Sequence, residues 1–148
     1  VTPAEQVLTP TVAREWSQDY QMFHRAVGVS RVHARRQLTL WSWRGDVEDA
    51  ALIVSELLTN AVNHARVVDA TMRLRLAVLE DGTLLIEVAD PLPAFPCFSE
   101  VIRSCVEDEQ GRGLRLVRAF GAEVTWFLRQ HGGKTVRAHV CDLTGELP

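Results

Sequence analysis

Three polar side chains recur at four-residue spacing in the segment Ser55-Glu-Leu-Leu-Thr-Asn-Ala-Val-Asn-His-Ala65: Glu56, Asn60 and His64. On an α-helix turning ~100° per residue, Asp49, Glu56, Asn60 and Asn63 fall within about 60° of one another, and His64 sits at the margin of that stripe. Nearly every other position is apolar: Leu52, Ile53, Val54, Leu57, Leu58, Ala61, Val62 and Ala65. A helix apolar around most of its circumference is buried on most sides. An unpaired carboxylate is costly to bury, so the stripe should line a cleft; the plain alternative is that it is the helix's solvent face. In a cleft, the amide oxygen of Asn60 is a neutral ligand suited to a hard cation. His64, one turn further, can meet an anion or simply pack.

The elements that must hold this stripe follow from periodicity and turn chemistry. Gly45-Asp46 separates two helical stretches, with Asp46 as N-cap of the one that runs to about Ala65. Residues 69–80, DATMRLRLAVLE, alternate: Met72, Leu74, Leu76 and Val78 face one way and Arg73 and Arg75 the other, as in a half-buried strand. Asp81-Gly82 is a hairpin turn signal, and TLLIEVAD (83–90) is the returning strand, ending at Asp90. The three prolines of PLPAFP (91–96) exclude regular structure there. Residues 97–110 read as a loop with a helical turn or two. GRGLRLVRAFG (111–121) becomes a short helix, and residues 122–130 and 134–143 form a second hairpin around His131-Gly-Gly133.

Upstream, residues 1–18 read as a loosely ordered leader with one short helix, and YQMFHRAV (20–27) as an edge strand broken by Gly28. Ser30 then caps a helix to about Trp43, with Arg31, Arg35 and Arg36 mainly off its apolar side. They form a solvated face or a contact surface for an acidic partner. Strands joined mainly by hairpins, with helices gathered on one face, predict an α+β fold: a two-layer sandwich with a mixed, mostly antiparallel sheet. One domain over 19–143 and a frayed tail at 144–148 complete the expected organisation.

Bulk properties narrow the function. With 16 Lys and Arg against 19 Asp and Glu, the net charge of -3 argues against a general nucleic-acid or membrane surface. No apolar run reaches the ~20 residues of a spanning helix, and the first residues lack a signal-peptide pattern. Cys97, Cys105 and Cys141 have neither the paired spacing of a zinc site nor the even count of a disulfide framework. A reduced, cytoplasmic protein is expected.

Two further places offer chemistry. Asp90, where a hydrophobic strand meets a proline-rich loop, can accept a hydrogen bond from a ligand's N–H donor, or serve only as a turn former before Pro91. Gly111 and Gly113 let the backbone approach an anion, the helix that follows presents free N–H groups, and Arg112 adds positive charge; read alone, a glycine pair that only opens the helix is the plainer explanation.

Taken in order, ALIVSELLTNAVNHA, LLIEVADPLPAFP, GRGLRLV and GGKTVRAHV resemble the motifs of the GHKL ATPases, and within them the anti-sigma factor serine-protein kinases, in particular the short stand-alone ATP-binding regulators of actinobacteria. The resemblance spans about residues 20–141. It implies the Bergerat, or histidine-kinase-like ATPase, fold and a site for ATP and Mg²⁺. By the same resemblance Glu56 is the general base toward a water or serine hydroxyl, and Asn60 binds the metal and the triphosphate. His64, Gly111, Arg112, Gly113 and Leu114 fall among the nucleotide-binding positions, and Asp90 and Thr135 hold the adenine. The implied partners are an antagonist (anti-anti-sigma) protein, whose serine is phosphorylated, and a sigma factor to sequester. No direct nucleic-acid or membrane contact is implied, and a homodimer is left open.

The chain departs from that pattern in two places. The family's Asp-x-Gly-x-Gly is here Asp90-Pro91-Leu92-Pro93-Ala94, which is stiffer and poorer in N–H donors. The glycine-rich region is one short Gly-x-Gly preceded by Glu107-Asp108-Glu109, whose charge opposes a triphosphate unless it points away. These departures keep a second expectation open: a non-catalytic interaction module that retains the fold and perhaps the nucleotide. A histidine-kinase catalytic fragment ranks below both, because the N-terminal 45 residues are too few for a dimerisation helix pair carrying a phosphoacceptor His.

Overall fold

In a computed structural model of the chain, the residues described are 10–94 and 121–141. Strand β1 (Val12–Gln21) leads into helix α1 (His24–Leu40) and helix α2 (Val47–His64). A hairpin of β2 (Thr71–Leu79) and β3 (Leu84–Asp90) follows, then a second of β4 (Glu123–Leu128) and β5 (Lys134–Val140). The five strands form one sheet in the order β1-β2-β3-β5-β4, and every neighbouring pair is antiparallel. The expected α+β sandwich is present, with an antiparallel rather than a mixed sheet among the described residues.

Strand parity decides which side is core. Met72, Leu74 and Leu76 of β2, Leu84, Ile86 and Val88 of β3, and Val136, Ala138 and Val140 of β5 are buried on one face. They form a single cluster with Ile53, Val54, Leu57, Leu58 and Ala61 of α2 and Ala34 and Leu38 of α1. Helix α2 lies on β2, β3 and β5, and α1 packs against α2 and β1. Both helices therefore cover the same face.

The opposite face carries charge in register. Arg75, Glu87 and Arg137 are direct partners across β2, β3 and β5. Glu87 Oε1 accepts from Arg75 Nη1 at 2.9 Å and from Arg137 Nε and Nη2 at 3.1 and 3.0 Å. Arg75 also donates to Glu15 at 2.8 Å, and Arg73 donates to Asp19 at 2.7 Å. The alternation Arg73, Arg75 in the sequence is thus answered by carboxylates on both neighbouring strands.

The N-terminal expectations are corrected. Residues 12–18, expected within a loose leader, belong to β1, and the strand ends at Gln21 instead of running from 20 to 27. His24–Val27, expected as strand, open α1, and Gly28 lies inside that helix. Ser30 is not its cap: it is fully buried and its hydroxyl donates to Val27 O at 2.6 Å, one turn back. The helix starts at Phe23, which makes no side-chain capping bond, and ends at Leu40, short of Trp43.

Asp46 is the N-cap of α2, accepting from Asp49 N at 3.0 Å, and Glu48 and Asp49 add negative charge to the first turn. The connection between the helices is pinned by Trp43, whose indole Nε1 donates to Gly82 O at 2.9 Å in the β2–β3 turn. A Cβ on Gly45 would run into the Trp43 ring, so only glycine fits beneath it. Gly82 has φ 90, and Asp81 Oδ1 accepts from Thr83 N at 2.9 Å, as the Asp-Gly turn predicts. Among the described residues, no helix is long and apolar enough to cross a membrane.

Candidate functional site

Helix α2 is buried along most of its circumference: Ala50, Ala51, Ile53, Val54, Ser55, Leu57, Leu58, Ala61 and Val62 are all inside. Asp49, Leu52, Glu56, Thr59 and Asn60 form the half-buried side, and Asn63 and His64 are exposed. The stripe is therefore neither core nor open solvent face until the last turn. Burial pushes the Glu56 carboxyl above its ordinary value of 4.5, and no hydrogen bond or ion pair answers it among the described residues. A partly desolvated carboxylate with no counterion among the described residues holds its proton longer.

Asp90 stands at the end of β3 on the face that α2 covers, two residues beyond Val88. It is 2% exposed. Its carboxylate accepts from Leu92 N at 2.9 Å, so it does form the turn into the proline loop. It is also held by Lys134, whose Nζ donates to Oδ1 at 2.9 Å and stands 2.9 Å from Oδ2. Burial pushes the Asp90 carboxyl upward, and the Lys134 ammonium and the Leu92 N–H pull back against it.

Register explains why Lys134 is there. Asp90 pairs directly with Lys134, whereas Ala89 pairs with Thr135 and Thr135 pairs with Phe127. Directly paired residues share a face, so Thr135 lies on the side of the sheet away from Asp90. Thr135 is buried, but the structure does not bring it together with Asp90. Lys134 is the residue sequence reasoning missed. The signal was the parity of β5: Val136, Ala138 and Val140 face the core, so position 134 does too.

The turn that delivers Lys134 closes tightly against Asp90. Gly133 has φ 79, and a Cβ there would collide with Asp90 O and lie 3.1 Å from Asp90 C and Pro91 Cα. Glycine is required here both for the left-handed backbone and for the close approach.

Apart from Asp90 and Thr135, the sequence-expected residues divide into three groups. Glu56 and Asn60 lie one turn apart on the half-buried side of α2, which packs on the strand ending at Asp90. His64 lies exposed in the last turn of α2. Gly111, Arg112, Gly113 and Leu114 lie outside the described residues, as do Glu107, Asp108, Glu109, Cys97 and Cys105. No group of three or more His, Cys, Asp and Glu that could hold a metal occurs among the described residues. A cation here would rely on amide and phosphate oxygens, the hard-donor chemistry that Asn60 offers.

Residues 11–140 match the model of the histidine kinase-like ATPase domain, and the chain belongs to that family. Among solved structures, the chain is similar to the RsbU and RsbW domains of a Mycobacterium tuberculosis protein. The TM-score is 0.60 and the identity 18%, over 86% of this chain and 32% of that one. That likeness is one of fold. It is also similar to the histidine kinase domain of the blue-light activated histidine kinase of Erythrobacter litoralis, with TM-score 0.46 and 28% identity over 64% of this chain and 43% of that one. The chain spans less than half the length of either. No curated protein matches it.

Proposed function

We propose that the protein is an ATP-binding regulatory domain of the anti-sigma factor serine-kinase type. The observation that carries this reading is the half-buried pair Glu56 and Asn60 on a helix that is otherwise core, packed on the strand that ends at Asp90. Asn60 would hold Mg²⁺ and the triphosphate, and the metal would supply charge neutralisation at the phosphates. Glu56 acts as general base, taking the proton from a serine hydroxyl of an antagonist protein, a role for which its desolvated carboxyl is suited. Asp90 recognises the base, and Gly111, Arg112, Gly113 and Leu114 supply the phosphate contacts. Sigma-factor sequestration uses a protein surface that includes α1, where Arg25, Val29, Val32, Arg36 and Leu40 are exposed along one side of the helix.

Calorimetry with Mg·ATP on the wild type and Asn60→Ala tests the site. We expect at least about a tenfold loss in the variant, since even outer-shell partners of a metal cost about that much when removed; equal affinities would take Asn60 out of it.

The second reading is a docking module without catalysis. The buried Asp90–Lys134 pair and the Asp90-Pro91-Leu92-Pro93-Ala94 loop favour it, since both depart from a free carboxylate beside a glycine loop. Label transfer from radiolabelled ATP to a cognate antagonist, abolished by Glu56→Gln, excludes it.

A further inference from the structure

We propose that Lys134 is a resident competitor for the base-recognition carboxylate, and that it sets the site's discrimination between purines. The inference rests on the nucleotide reading above and deepens it. A carboxylate selects adenine by accepting from the exocyclic amine. Here Lys134 Nζ already lies 2.9 Å from both oxygens of Asp90, where such a donor has to sit, and Leu92 N adds a further bond at 2.9 Å. The side chains of Lys134 and Asp90 are 4% and 2% exposed, so the contact is closed to solvent. An incoming amine must displace a charged donor from a buried carboxylate. A neutral N–H replaces a charge-assisted bond poorly, because hydrogen bonds to an ionised donor are about twice as strong as neutral ones.

Two structural features keep the ammonium in place. The register of β3 and β5 pairs Asp90 directly with Lys134, and the Gly133 turn holds the backbone of the two strands in contact. Lys134 therefore cannot leave Asp90 by a strand slip, which would turn every core residue of β5 outward. It can only swing its side chain. Selection of the base is thus weak in the resting protein, and binding relies on the ribose and triphosphate.

Inosine triphosphate differs from ATP at the recognised group, with a carbonyl oxygen in place of the amine. Calorimetry of the full chain with Mg·ATP and with Mg·ITP, on wild type and on Lys134→Met, reads the competition. Methionine keeps much of the length of lysine and removes its donors. The wild type is expected to bind the two nucleotides within about threefold of each other. Lys134→Met is expected to gain about tenfold for ATP, the size of one net hydrogen bond, and nothing for ITP. A wild type that prefers ATP by more than tenfold overturns the proposal, as does a folded Lys134→Met that binds ATP more weakly. If Lys134→Met does not fold, the wild-type ratio alone decides. Failure of both proteins to bind either nucleotide overturns the nucleotide reading itself, an outcome distinct from a site that binds but selects ATP.

Discussion

Gly133→Ala is the sharpest test of how the turn seats Lys134 on Asp90. Two costs add there. The backbone sits at φ 79, where an L-residue loses roughly 1–2 kcal/mol relative to glycine. The new methyl collides with Asp90 O and lies 3.1 Å from both Asp90 C and Pro91 Cα, so backbone of the neighbouring strand has to move. Forced overpacking of that kind costs about 1–3 kcal/mol. The sum is about 2–5 kcal/mol, or on the order of 10 °C in Tm for a chain of this size. Gly132 is the internal control: its φ of 107 is equally unsuited to alanine, yet nothing lies within 4 Å of a Cβ there. Gly132→Ala should therefore lose only the conformational part, about 1–2 kcal/mol. Urea denaturation of both variants separates strain from collision. Equal losses would refute the close approach of the β4–β5 turn to the end of β3, and with it the geometry that fixes Lys134.

Two other outcomes follow from charges on and under the sheet. Glu87→Ala leaves Arg75 and Arg137 facing each other without their shared carboxylate; because both guanidiniums are partly exposed, the loss is expected near 2 kcal/mol rather than the ~3–5 of a fully buried pair, and added salt should recover part of it in denaturant titrations. Glu56→Gln should stabilise the protein at neutral pH. The folded-state carboxyl is raised by burial above 4.5, so its penalty is absent below that pH, grows as the pH climbs toward the folded value, and is complete above it. A stability difference that does not change between pH 4 and pH 8 would show that Glu56 is not desolvated.

Legibility from sequence followed the locality of the signals. Helix α2 and the β2–β3 hairpin were readable because cap, apolar period and Asp-Gly turn all lie within a few residues. β1 was not. Arg14, Glu15, Ser17, Gln18 and Asp19 give it the polarity of a loop, and the partners that explain Glu15 and Asp19 are Arg75 and Arg73 on another strand. α1 was misplaced at its start because Gly28 and Ser30 look like a break and a cap, while the true boundary at Phe23 has no side-chain cap. At the site, four-residue spacing marks Glu56 and Asn60 as a polar stripe, which the structure leaves half-buried, while their roles come only from the resemblance. Thr135 follows from the resemblance; the register puts its neighbour Lys134 on the Asp90 side, because one position along a strand changes the face of the sheet.

The order of the strands also constrains how the chain reaches this structure. The β2–β3 and β4–β5 ladders join segments adjacent in sequence, whereas β1 meets β2 only after both helices have been threaded between them; Glu15 and Arg75 are 60 residues apart. Closing so long a loop costs entropy that local hairpins do not incur. The amino-terminal strand is thus expected to pair after the two hairpins, although its ladder on β2 is the longest in the sheet. A ligand that engages β1 or the start of α1 therefore acts on the edge whose pairing spans the longest stretch of chain, whereas Asp90 ends the central strand of the sheet.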